Sequence, residues 1–337
     1  MPGLWAERDT PRAASECRTP SPAKAGGKNF RAHEGVAPMG AARRRVLQSV
    51  RINAPNPKSE TVLIAGASSG IGYELAREFA KHGHPLAIVA PLAAELELAA
   101  ATLEREFGVM AWPLAHDLMK EDAPEEILDR LAREGRQVDI LVNNAGLAQR
   151  GKFWVNPAGR DIEMIRLNVE AVVRLTRLFL PPMLERRHGR ILNTASVAGF
   201  EPGPNLAVYH ATKAFVLSLS ESLATELEGT GVTLTALCPG PTDSDFFPKA
   251  DMVDTPAFQR ANVMGPQPVA EAAYAGLMKG ERLVVPGALN KAMVASRRIL
   301  PESAQAKMNE KLYTQTSPRK RKRETGEVAA MEEAKRA

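Results

Sequence analysis

The sequence predicts an α/β protein, a doubly wound parallel sheet of about seven strands with helices on both faces. Two observations predict it. Apolar runs of strand length recur without polar interruption, as they do where both faces of a strand are covered. Segments of helical spacing alternate with those runs, and right-handed crossovers between parallel strands then wind the sheet both ways.

The elements follow in order. T-V-L-I-A-G (61–66) reads as the first strand. A helix is expected from about Ile71 to Lys81, closed by His82 and the glycine stop Gly83. L-A-I-V-A (86–90) is the second strand, and 92–107 carries Leu92, Leu96, Leu103 and Phe107 at helical spacing. V-M-A-W-P-L (109–114) is the third strand, 122–134 a helix, and V-D-I-L-V (138–142) the fourth strand. A long helix is expected from about Pro157 to Leu180. R-I-L-N-T-A (190–195), a helix over 207–228, V-T-L-T-A-L (232–237) and R-L-V-V-P (282–286) complete the pattern. Ligands on such sheets sit beyond the carboxyl ends of the strands.

The chain has 337 residues, 44% hydrophobic and 25% charged, which is enough for one large domain. Aromatics are 5%, so the core must be built from Ala, Val, Leu and Ile. The net charge of +5 is mild and concentrated at the ends, which argues against nucleic acid as a partner. Cys17 and Cys238 make no disulfide framework, and a reducing cytoplasm fits them. No apolar segment approaches the ~20 residues of a membrane helix. Residues 1–58 are rich in Pro, Gly, Ala, Ser and Arg without period, and read as a disordered leader, with Met39 a candidate start. One domain is expected over 59–315, then a charged, flexible tail over 316–337. The basic run in P-R-K-R-K-R (318–323) reads as solvated rather than as a localisation or nucleic-acid patch.

The first strand ends in A-G-A-S-S-G-I-G (65–72). Gly66 permits a tight turn, Gly70 lets a pyrophosphate approach the backbone, and Gly72 lets the helix pack close. The helix start, with Ser68, Ser69 and Ile71, offers N–H groups to an anion. Glycines alone are weak evidence; between a buried strand and a helix they say much more.

This turn resembles the cofactor loop of the short-chain dehydrogenase/reductase family, in its G-x-x-x-G-x-G form, and other family marks follow in order. Asp117-Leu118 follows the third strand, where the family contacts adenine. Asn143-Asn144-Ala145-Gly146 matches N-N-A-G, and Asn168 stands at the family's catalytic asparagine. Ser196 precedes Tyr209 by thirteen residues, and Tyr209 with Lys213 forms Y-x-x-x-K. Pro239-Gly240 ends the sixth strand, and Thr242 and Ser244 match positions that contact the nicotinamide carboxamide. The resemblance covers about residues 60–290 and implies a Rossmann-type NAD(P)-dependent oxidoreductase acting on an alcohol or carbonyl. It also implies a homodimer or homotetramer, paired through the helices near 157–180 and 207–228.

The residues carry chemistry of their own. A tyrosine has a pKa of about 10, and a cation one helical turn away is expected to lower it. Lys213 shares a helix face with Tyr209 and can do this. The resemblance makes Tyr209 the general acid or base, Ser196 the holder of the substrate oxygen, Lys213 a partner of the nicotinamide ribose, and Asn168 part of a water relay. Without it, Ser196 reads as a capping serine and Asn168 as a satisfied buried amide. No metal is implied. Phe246, Phe247, Met252, Phe258, Val263 and Met264 fill a lid expected over 242–268, which points to a hydrophobic small-molecule substrate.

At the end of the second strand, Ala90 and Pro91 stand where an acid would select NAD and an arginine NADP. With no carboxylate to repel a phosphate, and with Ser68 and Ser69 at hand, the reading leans to NADP. The alternative is a non-catalytic nucleotide-binding or scaffold protein of the same fold. An epimerase or dehydratase is disfavoured, since its G-x-x-G-x-x-G spacing is absent.

Overall fold

A computed structural model describes residues 60–259, 263–297 and 300–315. The expectations for 1–58 and for the basic run at 319–323 lie outside these residues. Seven parallel strands form one sheet in the order β3-β2-β1-β4-β5-β6-β7. They are β1 (Val62–Ala65), β2 (Leu86–Ala90), β3 (Ala111–Ala115), β4 (Ile140–Asn143), β5 (Gly189–Thr194), β6 (Val232–Leu237) and β7 (Leu283–Val284). The sequence order reverses at β1, which pairs with both β2 and β4. A crevice opens there, beyond the strand ends.

The helices are α1 (Gly70–Lys81), α2 (Ala93–Phe107), α3 (Ala123–Arg133), α4 (Ala158–Ile165), α5 (Ala171–Arg186), α6 (Ala207–Glu226), α7 (Phe246–Lys249), α8 (Pro256–Gln259), α9 (Pro266–Lys279), α10 (Ala288–Arg297) and α11 (Glu302–Tyr313). Side chains alternate across each strand, so the apolar runs feed two cores. Val62 and Ile64 face α1, α2 and α9, with Leu75, Phe79, Leu103 and Leu277 fully buried. Leu63 and Ala65 face α3, α5 and α6, with Ile127, Leu175, Phe179 and Leu227.

Several boundaries differ from expectation. The third strand starts at Ala111, paired with Leu86, because Met110 is turned to solvent at 59% exposure. Pro113 is tolerated in it because β3 is an edge strand, where a missing N–H breaks no ladder. The seventh strand is trimmed to Leu283–Val284. The long helix does not stop before Pro181-Pro182. It continues to Arg186, and its middle, Arg166–Glu170, is a π turn joining α4 to α5.

Candidate active site

The π turn places Asn168, which is 1% exposed. Asn168 Nδ2 donates to the Leu147 carbonyl at 2.9 Å and to Thr212 Oγ1 at 3.1 Å, while Oδ1 accepts from the Leu147 N–H at 2.9 Å. Both of its donors are used, so the side chain is a buried clamp between the loop after β4 and helix α6.

Gly146 lies between this clamp and the lysine. A Cβ there would stand 3.3 Å from Asn168 Oδ1 and 3.5 Å from Lys213 Nζ. Lys213 is buried and donates from Nζ to the Thr194 carbonyl at 2.8 Å. Removal from water disfavours its charge and brings its pKa down to about 8.

Ser196 stands two residues beyond β5 in extended conformation and caps a 3-10 turn, Val197–Phe200, accepting from the Ala198 N–H at 3.0 Å. Its hydroxyl also lies 3.4 Å from the Pro239 carbonyl. Tyr209, half-buried on the first turn of α6, packs its ring 5.4 Å from that of Phe246 on the lid. The expectation that Lys213 lowers the Tyr209 pKa is corrected. Burial dominates and pushes the phenol up to about 12, with a hydrogen bond from Ser196 as the opposing influence. Lys213 Nζ sits 5.9 Å from the ring centroid, and partial neutrality weakens its pull.

The glycine turn faces this group across the crevice. Gly66 and Gly70 hold φ of +76° and +57°, a region open to glycine. A Cβ on Gly66 would meet Ala145 Cα at 2.7 Å, and one on Gly72 would meet the Gly66 carbonyl oxygen at 1.8 Å. At Gly70 the close neighbour is Ser244, whose Cβ would be 3.1 Å away. In α1 the first N–H to bond back is that of Tyr73, to Ser69, so Gly70, Ile71 and Gly72 precede the ladder. Ser69 caps the helix in extended form without a side-chain cap bond, and Ser68 is half-buried beside it. Asn144 Nδ2 donates to the Gly66 carbonyl at 3.2 Å and its Oδ1 accepts from Thr194 at 3.2 Å, which joins the turn to the lysine's partner.

The remaining predicted residues ring the same strand ends. Asp117 follows β3 and accepts from the Met119 N–H at 3.0 Å, with Leu118 buried beside it. The Pro239 carbonyl accepts from the Val197 N–H, and Gly240 lets Asn290 approach, where a Cβ would be 2.5 Å from Nδ2. Thr242 donates to the Gly240 carbonyl at 3.0 Å and is bridged to Met264. Ala90 is buried at the end of β2, and Pro91 is exposed.

A glycine turn cleared of side chains, with unspent N–H groups at a helix start, fits the pyrophosphate of a dinucleotide. Thr194 and Thr212 hold the site together, and sequence reasoning missed both; a threonine two before Ser196 and one before Lys213 was the available signal.

The short chain dehydrogenase family profile matches residues 60–252. The chain belongs to this family. It is 37% identical over 200 residues to a short chain dehydrogenase of Pseudocercospora fijiensis, a match covering 59% of this chain and 64% of that one. The chain therefore spans less than two thirds of that relative. It is 35% identical to the NADP-dependent 3-hydroxy acid dehydrogenase YdfG of Escherichia coli, over 63% of this chain and 87% of the relative. Among solved structures, a short-chain dehydrogenase from Sphingobium yanoikuyae in complex with NADPH is 34% identical with a TM-score of 0.63, covering 72% of this chain and 97% of that one. A family member from Burkholderia phymatum in complex with NAD is 26% identical with a TM-score of 0.65, over 71% and 93% of the two chains.

Proposed function

We propose that this chain is an NAD(P)-dependent oxidoreductase that interconverts a hydrophobic carbonyl compound and its alcohol, with Tyr209 as general acid and base. The observation that carries the reading is the meeting of Ser196, Tyr209 and Lys213 at the ends of β5 and α6, opposite the glycine turn.

Gly66, Ser68, Ser69, Gly70, Ile71 and Gly72 would hold the pyrophosphate, Asp117 and Leu118 the adenine side, and Thr242 and Ser244 the nicotinamide side. When bound, the nicotinamide supplies or accepts the hydride. The protein's residues handle the proton. A phenol with its pKa near 12 stays protonated at neutral pH, so Tyr209 acts as acid and donates to the substrate oxygen as that oxygen gains negative charge. The Ser196 hydroxyl holds the same oxygen and steadies the phenolate left behind. Lys213, close to half charged near pH 8, steadies it further. The lid wall of Phe246, Phe247 and Phe258 excludes water and supports an apolar substrate.

NADP is favoured over NAD, since Ala90 places no carboxylate against a 2′-phosphate and the Ser69 hydroxyl is not used in capping. We read 59–315 as one domain, with 242–268 as its lid. A homodimer or homotetramer through α4–α5 and α6 is supported by the exposed Ile162, Ile165 and Phe215 on those helices. Among the described residues no helix is long and apolar enough to cross a membrane.

The test is Tyr209→Phe assayed with NADPH and a panel of ketones. We expect kcat to fall about 10²- to 10⁴-fold while NADPH affinity is kept. Equal turnover in both proteins would remove the reading. A wild-type chain that binds neither NADPH nor NADH at millimolar concentration would instead be a scaffold.

A further inference from the structure

Helix α11 lies outside the span matched by the family profile. It is nonetheless firmly seated beside the lid. Asn309 is 2% exposed and donates to the Pro202 carbonyl at 2.8 Å. Glu310 pairs with Lys152 at 3.2 Å. Leu312 and Tyr313 pack against the cluster of Phe247, Met252 and Phe258, which Tyr209 and Phe246 also border.

Tyr313 reaches further. Its hydroxyl is 3.0 Å from Nε2 of His210, the residue after Tyr209, and His210 Nδ1 is 2.8 Å from the Glu201 carbonyl. A carbonyl only accepts, so Nδ1 carries the proton and Nε2 accepts from the Tyr313 hydroxyl. The His210 ring also lies flat on Gly203, where a Cβ would be 2.1 Å from Cδ2. The ring is thus fixed by a carbonyl, by a glycine and by the C-terminal helix.

We propose that Tyr313 is a positioning residue: through His210 it fixes the first turn of α6, and with Leu312 it holds the lid against that turn. The kinetic part of this rests on the role given to Tyr209 above. The first turn of a helix is weakly restrained, because its N–H groups lack carbonyl partners within the helix. The lid helices α7 and α8 are four residues each, too short to sustain themselves. Both therefore take their order from outside, and α11 touches both. None of these contacts reaches the glycine turn.

Tyr313→Phe and Leu312→Ala in the full chain test this. Hydrogen exchange is followed by mass spectrometry over 206–213, 246–259 and 62–72, and KM and kcat are measured for a bulky aryl ketone with NADPH. Loss of the hydroxyl is expected to quicken exchange in the first two segments about 5-fold, and loss of the leucine side chain about 10-fold or more in the lid. Exchange over 62–72 stays unchanged, and KM rises with kcat held within about twofold. Unchanged exchange at the lid and at 206–213 in both variants overturns the proposal. So does a quickening that extends equally to β1, which would mark α11 as a general stabiliser. If the wild type reduces no ketone while exchange responds as expected, the positioning role stands and the oxidoreductase reading falls.

Discussion

Lys213 Nζ donates to the Thr194 carbonyl across 2.8 Å, which straps the turn below Tyr209 to the end of β5. The same side chain that can steady a phenolate is therefore also a tie between helix and sheet. Its burial has a consequence for stability that can be measured.

An unfolded chain keeps the Lys213 proton up to about pH 10.4, whereas the folded chain keeps it only up to about pH 8. Between these values unfolding takes up a proton, so stability rises with pH and is lost again as pH falls through about 8. Across pH 8 to 10 the gain from this one group is about 2 kcal/mol. From about pH 9 the raised Cys238 pKa works the other way, and above about pH 10 so does the raised Tyr209 pKa. Urea unfolding of the wild type and of Lys213→Met at both pH values checks this: the wild type should gain about 2 kcal/mol relative to the variant from pH 8 to pH 10.

Gly72→Ala should destabilise the fold by about 1–3 kcal/mol and abolish NADPH binding, because its Cβ would stand 1.8 Å from the Gly66 carbonyl oxygen. Gly159→Ala is the control. Nothing lies within 4 Å of its added Cβ, and it sits inside α4. It should stabilise by about 0.5–1 kcal/mol. Thermal melts with and without NADPH separate the two.

Asn193 joins two cores of polar contact. Its Oδ1 accepts from Asn143 at 2.8 Å and its Nδ2 donates to Ser220 at 2.9 Å, all fully buried. Asn143 already has one oxygen without a partner. Asn193→Ala leaves further buried groups unpaired and should cost about 1–3 kcal/mol, read from the urea midpoint. A loss below about 0.5 kcal/mol would mean that water repairs the network.

Ala90→Asp places a carboxylate at the end of β2, where a ribose 2′-hydroxyl is recognised in dinucleotide folds. The ratio of kcat/KM for NADPH over NADH should fall at least about 10-fold. An unchanged ratio would put the 2′-phosphate elsewhere.

Much of the fold was legible in the sequence because buried parallel strands are written as unbroken apolar runs. β2 and β6 coincide with their runs, L-A-I-V-A and V-T-L-T-A-L. β3 was shifted because Val109 and Met110 are apolar without being paired. The helix end at Leu180 was misread because Pro181-Pro182 is a local stop signal that packing of Phe179 and Met183 overrides. The order of the glycine turn, Asn168, Ser196, Tyr209 and Lys213 was legible, but not their electrostatics: i, i+4 spacing gives proximity and says nothing of burial, which decided both pKa directions. α11 was invisible because its apolar residues, Ala304, Ala306, Met308 and Leu312, make a thin stripe. It is seated by the apolar ends of Leu312 and Tyr313 on the lid cluster and by polar contacts to residues about a hundred positions away.

The π turn over Arg166–Glu170 carries one residue more than an α-helix would use, and that is a change of phase. Everything after it is rotated by about 100° relative to an unbroken helix. Within the turn the chain can aim Asn168 at Leu147; downstream it can aim Leu175, Phe179 and Met183 at the sheet. A single uninterrupted helix would have to give up one of those two alignments, so the extra residue works as a gear between the site and the core.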